Sequence, residues 1–310
     1  MFHFFFLLAK IAVAQKIKKN RKPIFIEYLP LYNFLFIKSN IPPAISEPTV
    51  SLAIGMVALT LLCCLWGPVP RLVFLLGCGL AAVWETWRIL SRGHWTYGAV
   101  LLLFVLSCGL LSFFHRPVGW YAVAFFAAVQ LILTCGALTY RPGGGRDALS
   151  ALTALVYPGC LFGVLLYVSQ LTRWLWPFAV GQLTAWICDS AALVVGKKWG
   201  KRPLPTPVSP HKTLEGCLAG AAAALPTGLL CWALFRGSCP LPLLGWMLIC
   251  LLCSSWGQIG DLAASLVKRA VGVKDFSTLL GPHGGVMDKF DSMVFSVPLA
   301  YLCLSVAGVM

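Results

Sequence analysis

The feature that leaves this chain the least structural freedom is a series of long apolar runs, each near the roughly 20 residues that carry a helix across a bilayer. Nine are visible, at 49–66, 72–87, 97–114, 119–139, 150–171, 174–195, 214–235, 241–264 and 291–309, separated by short segments punctuated by Pro, Gly and Arg. Composition agrees, because 59% of the 310 residues are hydrophobic and only 11% are charged, whereas roughly a quarter of residues carry charge in soluble domains. The expected fold is all-α: a polytopic integral membrane bundle of about nine transmembrane helices.

Basic residues assign the sides. With nine spans the loops alternate, and twenty of the 24 Lys and Arg residues fall on one side. They comprise seven in the N-terminal arm, Arg88 and Arg92, Arg141 and Arg146, then Lys197, Lys198, Lys201, Arg202 and Lys212, then Lys268, Arg269, Lys274 and Lys289. The other side keeps four, Arg71, Arg116, Arg173 and Arg236. By the positive-inside rule the basic side is cytoplasmic. The formal charge of +14 is thereby concentrated on a face suited to anionic lipid headgroups and phosphorylated metabolites. Nucleic acid is not the expected partner, since these residues sit in loops tied to membrane spans without the interleaved aromatics of a stacking platform.

Residues 1–48 read differently. Their basic cluster follows the apolar run instead of preceding it, which makes a weak secretory signal. An interfacial or inserted arm accounts for the segment, and so does a start codon placed too far upstream. Most of the thirteen Cys residues lie inside the apolar runs, where a thiol behaves as a small hydrophobe. Cys250 and Cys253 form a C-x-x-C within one such run, and packing explains them better than a disulfide or a metal.

Acids are scarce, so their positions are informative: of ten, six follow residue 188. Asp189 and Asp261 each stand near the same end of their apolar runs, where capping or pairing with Lys competes with a functional role. Asp288 and Asp291 are spaced i, i+3 at the head of the last run, which puts two like charges on one helical face. A hard divalent cation such as Mg²⁺, which takes one or two carboxylates with phosphate oxygens and water, relieves that repulsion. A solvated pair at a helix N-terminus accounts for the same spacing.

Around these acids stand groups suited to a metal-bound polyphosphate. Asp261, Ser265 and Lys268 or Arg269 follow i, i+4 and i+7 or i+8 spacing, so a carboxylate, a hydroxyl and a cation share one face. In "GKKWGKRPLPTPVSPHKTLEG", Ser209 before Pro210 has the form of an N-cap and first helical residue, and Thr213 is a second candidate cap beside Lys212. Gly284 and Gly285 permit a tight turn after His283, which reads as a polar contact. "GKKWGKR" is not a phosphate loop, because the required spacer and hydroxyl are missing.

Taken together, "SLVKRAVGVKDFSTLLGPHGGVMDKFD" at 265–291 resembles the C-terminal signature of the phosphatidate cytidylyltransferases, or CDP-diglyceride synthases. "CDSAALVVGKKWGK" and "VSPHKTLEG" are similar to two upstream elements of that family, and "AAVWETWRIL" at 81–90 is weakly similar to an early acidic and aromatic segment. The likeness runs over 49–310 and leaves 1–48 outside. Departures are Lys289 in place of Arg, which loses a bidentate fork, Ala191 and Leu193 in place of Gly and an aromatic, and His211 in a variable slot.

The compact size and the absence of a long soluble extension suggest a bacterial inner membrane, and the basic loops put the active site on its cytoplasmic side. The resemblance implies an all-helical membrane enzyme that joins CTP to phosphatidic acid, giving CDP-diacylglycerol and pyrophosphate. It implies Mg²⁺ held by Asp261, Asp288 and Asp291, with Asp189 behind them or on a second cation, and allows a homodimer. Lys268 and Arg269 would act on the reacting phosphates. Ser209, Lys212, Thr213, Lys274, Asp275, His283, Gly284, Gly285 and Lys289 would surround the nucleotide. A CTP-dependent kinase of a polyprenol or other lipid is the nearest alternative, distinguished by release of CDP in place of pyrophosphate. A transporter ranks lower, since the acids gather at one face and no internal repeat is visible.

Overall fold

The computed structural model describes residues 65–91, 95–138, 144–281 and 284–310, with 58, 60, 62 and 63. Helix α1 spans Pro68–Leu90, with Pro in its first turn where no backbone donor is needed. It is followed by α2 (Trp95–Phe113), α3 (Val118–Leu138) and α4 (Gly144–Ala154). A π-helical turn at Leu155–Cys160 joins α4 to α5 (Leu161–Ser169), and Tyr157 within it leaves the helical conformation at φ −132°, ψ 111°. Pro158 is the cause, because its ring drives the preceding residue toward extended backbone. Then come α6 (Leu175–Trp199), α7 (Leu214–Phe235), α8 (Leu243–Ala270), the single turn α9 (Met287–Phe290) and α10 (Met293–Val306).

Among the described residues eight helical segments are long and apolar enough to cross a membrane, with 145–169 and 287–306 each counting as one span. They correspond to the eight apolar runs from 72–87 onward. Most of the run at 49–66 lies outside the described residues, as does all of 1–48. Helix α3 buries only Ala128 and Ile132, while Val123, Phe126, Leu131 and Leu133 are more than half exposed. Such a surface belongs against acyl chains.

Two apolar clusters hold the helices together. One joins α1, α2, α5 and the last span through Leu75, Leu101, Phe162, Leu165, Val294 and Val297. The other joins α6, α7, α8 and α10 through Val180, Cys188, Ala224, Trp246, Cys250 and Leu304. In lipid, helices approach where small residues allow it: a Cβ on Gly181 would come 2.7 Å from the Val297 Cα, and one on Gly228 2.6 Å from the Met247 Cα.

The two ends of the bundle differ. At one, Arg71 Nε donates to the Ser169 carbonyl at 2.9 Å and its guanidinium lies 3.6 Å from the Trp174 ring centroid, while Arg173 donates to the Val309 carbonyl at 2.6 Å. At the other end the C-termini of α1, α6 and α8 meet the start of α7 and of the last span. The acids among the described residues are there.

Candidate functional site

The first half of the site is set by the segment between α6 and α7. Residues 202–214 fold back on themselves: the Leu204 amide donates to the Lys212 carbonyl at 2.8 Å, the Leu214 amide to the Arg202 carbonyl at 2.9 Å, and Pro203 bridges Thr213. Glu215 Oε2 accepts from the Lys201 and Arg202 amides at 3.2 and 3.1 Å, fixing the base of this hairpin. Thr213 caps α7 by accepting from the Gly216 amide at 3.2 Å. Ser209 does not cap a helix; its carbonyl accepts from the Lys212 amide at 3.2 Å in a turn, and the pairing of Lys212 with Leu204 and of Thr213 with Pro203 delays the start of α7 until after Thr213. The hairpin returns Lys212 over α8, where its Nζ lies 2.5 Å from Asp261 Oδ2.

The second half is built by α8 and the loop that follows it. Ser265 and Lys268 are buried on α8, while Arg269 is exposed. Lys268 Nζ lies 2.6 Å from Asp288 Oδ1 and 5.3 Å from the Phe276 ring centroid. The other Asp288 oxygen accepts from the Phe276 amide at 2.8 Å and the Gly285 amide at 2.9 Å, so both oxygens are committed. Gly284 makes this closure possible, since its φ of +83° favours glycine and a Cβ there would sit 2.8 Å from Asp288 Oδ2.

The backbone stays helical through Asp291 and Ser292, so the i, i+3 spacing of Asp288 and Asp291 holds, yet the two carboxylates have different partners. Asp291 Oδ1 accepts from the Ser292 amide at 2.7 Å, and Asp291 lies within electrostatic reach of Asp261, Lys268 and Asp189. Close helix contact brings it there: a Cβ on Gly260, beside Asp261, would come 2.6 Å from the Asp291 carbonyl oxygen. Asp189, exposed on α6, interacts in turn with Asp261 and Lys212.

The structure therefore gathers Asp189, Lys212, Asp261, Lys268, Asp288 and Asp291. Arg269 turns away to its own loop, donating to the Val273 carbonyl at 2.9 Å. Lys274, Asp275 and Lys289 are exposed on the same loop and the first turn of the last span. His283 lies outside the described residues.

Sequence reading did not place Glu85 in the site. Its carboxylate, on α1 and only 4% exposed, accepts from the Ser277 hydroxyl at 2.7 Å and from the Val286 and Met287 amides at 3.0 Å each. The available signal was a lone acid in an apolar helix, within the segment 81–90 that is weakly similar to the family pattern.

Among the described residues no group of three or more Asp, Glu, His or Cys side chains is placed to hold a metal ion. Mg²⁺ does not require one, because it is bound through one or two carboxylates and finished by phosphate and water. Carboxylate oxygens such as those of Asp261, Asp291 and Asp189 have the chemistry that role would need, one or two at a time. Asp288 fits only when Lys268 gives up its oxygen.

A family model described as the cytidylyltransferase family matches residues 49–307. The phosphatidate cytidylyltransferase of Bacillus subtilis is 31% identical over 245 residues, covering 77% of this chain and 90% of that protein. The enzyme of the same name from Aquifex aeolicus is 38% identical over 151 residues, covering 48% and 54% of the two chains. That from Staphylococcus aureus is 35% identical over 178 residues, covering 56% and 65%. With a match that takes in every helix from α1 to α10, this chain belongs to the cytidylyltransferase family.

Proposed function

We propose that this chain transfers the cytidylyl group of CTP to phosphatidate, giving CDP-diacylglycerol and pyrophosphate. A phosphate oxygen of the lipid forms a bond to the α-phosphorus of CTP, and the bond from that phosphorus to the bridging oxygen of the β-phosphate breaks. Pyrophosphate carries away the electron pair. The nucleophile is already an oxyanion, so no strong general base is needed. The obstacle is repulsion between two anions, and catalysis of such transfers is mostly positioning and charge stabilisation.

The observation that carries this reading is the pair of ion pairs at one end of the bundle, Lys212 with Asp261 and Lys268 with Asp288. Each couples a group that can bind phosphate to one that can bind a cation. A nucleotide with its counter-ion offers both partners at once, so each lysine can pass to a phosphate oxygen and each carboxylate to the metal without leaving a charge unpaired. Mg²⁺, when bound, would supply neutralisation of the charge developing on the leaving group. Asp261 and Asp291, with Asp189, would hold it, and Asp288 would be free to do so once Lys268 pairs with a phosphate. Thr213 with Lys212, and Gly284 and Gly285 with Lys274, flank this centre on its two loops. Ser209, Asp275 and Lys289 would contribute to the nucleotide-facing rim. The site lies on the cytoplasmic side of a bacterial inner membrane, where CTP is at hand.

The test is an assay of the purified protein with CTP labelled in the α-phosphate, phosphatidate and Mg²⁺. Label is expected in the lipid with one pyrophosphate per turnover, and Asp288→Asn is expected to lose most activity. Release of CDP and an unlabelled phospholipid would identify a lipid kinase instead.

A further inference from the structure

We propose that Glu85 is a positioning residue, a buried carboxylate on α1 that fixes the loop between α8 and the last span so that Lys268 and Asp288 stand ready for the substrate phosphates. The inference rests on the reaction proposed above for its catalytic consequence, but not for its structural content.

The loop is held between two carboxylates. Asp288 takes the amides of Phe276 and Gly285, and Glu85 takes the next donor along on each side, the Ser277 hydroxyl and the amides of Val286 and Met287. Neighbouring residues thus bind alternate anchors, and one anchor belongs to the loop's own side of the site while the other comes from a helix 192 to 202 residues away in sequence. Without Glu85 the amides of Val286 and Met287 would lose their acceptor just where the chain turns into the helix bearing Asp288.

The geometry calls for an acceptor at each oxygen. Oε1 serves Ser277 and Val286, and Oε2 serves Met287, so acceptors are needed at both oxygens. A carboxylate is acceptor-only, whereas a glutamine would present an NH₂ to one of these donors. All three of these donors are neutral, and a polar group is costly to bury unless it is hydrogen-bonded. A group needed only for packing would more cheaply be apolar. Gly285 completes the fit: a Cβ on it would come 2.5 Å from Glu85 Oε2 and 2.7 Å from Oε1.

The experiment uses the full chain in lipid nanodiscs and reads amide hydrogen exchange and kinetics together. In Glu85→Ala, exchange is expected to rise in peptides covering 276–288 and to stay unchanged in α3 and α7. kcat for cytidylyl transfer is expected to fall about 100-fold, the scale of a misplacement near 1 Å, with a smaller change in KM for CTP. Glu85→Gln should fall between the two, because it keeps one acceptor. Gly285→Ala should slow the wild type but add little in the Glu85→Ala background, where the atoms its Cβ meets are gone. Unchanged loop exchange in Glu85→Ala, a rise spread evenly over all helices, or fully additive effects of the two substitutions would each overturn the assignment. Should wild-type protein release no pyrophosphate, the proposed reaction fails, and the exchange measurement still decides the role of Glu85.

Discussion

Two ion pairs of the same chemistry do different work because they differ in burial. The side chains of Lys268 and Asp288 are 10% and 8% exposed, those of Lys212 and Asp261 24% and 31%. Removing one member of a buried pair leaves an uncompensated charge and costs about 3–5 kcal/mol. Lys268→Met should therefore lower both thermal stability and turnover, measured by unfolding in nanodiscs and by pyrophosphate release. Adding Asp288→Leu should restore neither stability nor activity, since the Phe276 and Gly285 amides then lose their acceptor. The more open pair is screened and contributes about 0–1 kcal/mol. Lys212→Ala is accordingly expected to leave the unfolding midpoint nearly unchanged while kcat/KM for CTP falls by about 10²–10³, the range for loss of one charge-stabilising donor. An equal fall in stability for both lysine variants would refute this division.

At the scale of elements, the site depends on how closely helices approach. Helix α7 begins at the Thr213 cap beside Lys212, α8 carries Asp261, and the two cross at Gly228, where the Met247 backbone leaves no room for a Cβ. Gly228→Ala is expected to destabilise by about 1–3 kcal/mol through overpacking and to reduce turnover, although Gly228 lies four helical turns from the site. Combining it with Lys212→Ala tests the route: if splaying acts by parting Lys212 from Asp261, the losses in kcat/KM should be less than additive. The same elements mark what a sequence can tell. The spans are legible because each is a contiguous apolar run, and the gathering of Asp189, Asp261, Asp288 and Asp291 follows from their shared position at span ends. The partner of each carboxylate is not legible, because i, i+3 spacing puts Asp288 and Asp291 on one face without saying that a lysine 20 residues earlier claims the first. Glu85 was harder still, since its donors are about 200 residues away and two of the three are backbone amides, which carry no residue identity. The capping residue of α7 was narrowed to Ser209 or Thr213, and the choice fell to a hairpin whose bonds are likewise made by backbone.

For the whole molecule, the distribution of charge makes sidedness testable without any mutation. Every lysine from residue 197 onward, Lys197, Lys198, Lys201, Lys212, Lys268, Lys274 and Lys289, lies at the end of the bundle that holds the site, and among the described residues the basic side chains of the opposite end are the arginines at 71, 116, 173 and 236. Two of those arginines are tied to carbonyls at helix ends, where five donors in a planar fork serve better than one ammonium. The lysines at 197, 198, 201, 274 and 289 are exposed. A membrane-impermeant amine reagent should thus modify them in inverted vesicles and spare them in intact spheroplasts, read out by mass spectrometry of the tryptic peptides. Saturating CTP with Mg²⁺ and phosphatidate should protect Lys212 most among the site lysines, since it is accessible in the free protein and faces the phosphates in the complex, while Lys197 and Lys198 should label as before. Modification from the outside would place the site away from its nucleotide and remove the physical basis for the reaction, whatever the family to which the chain belongs.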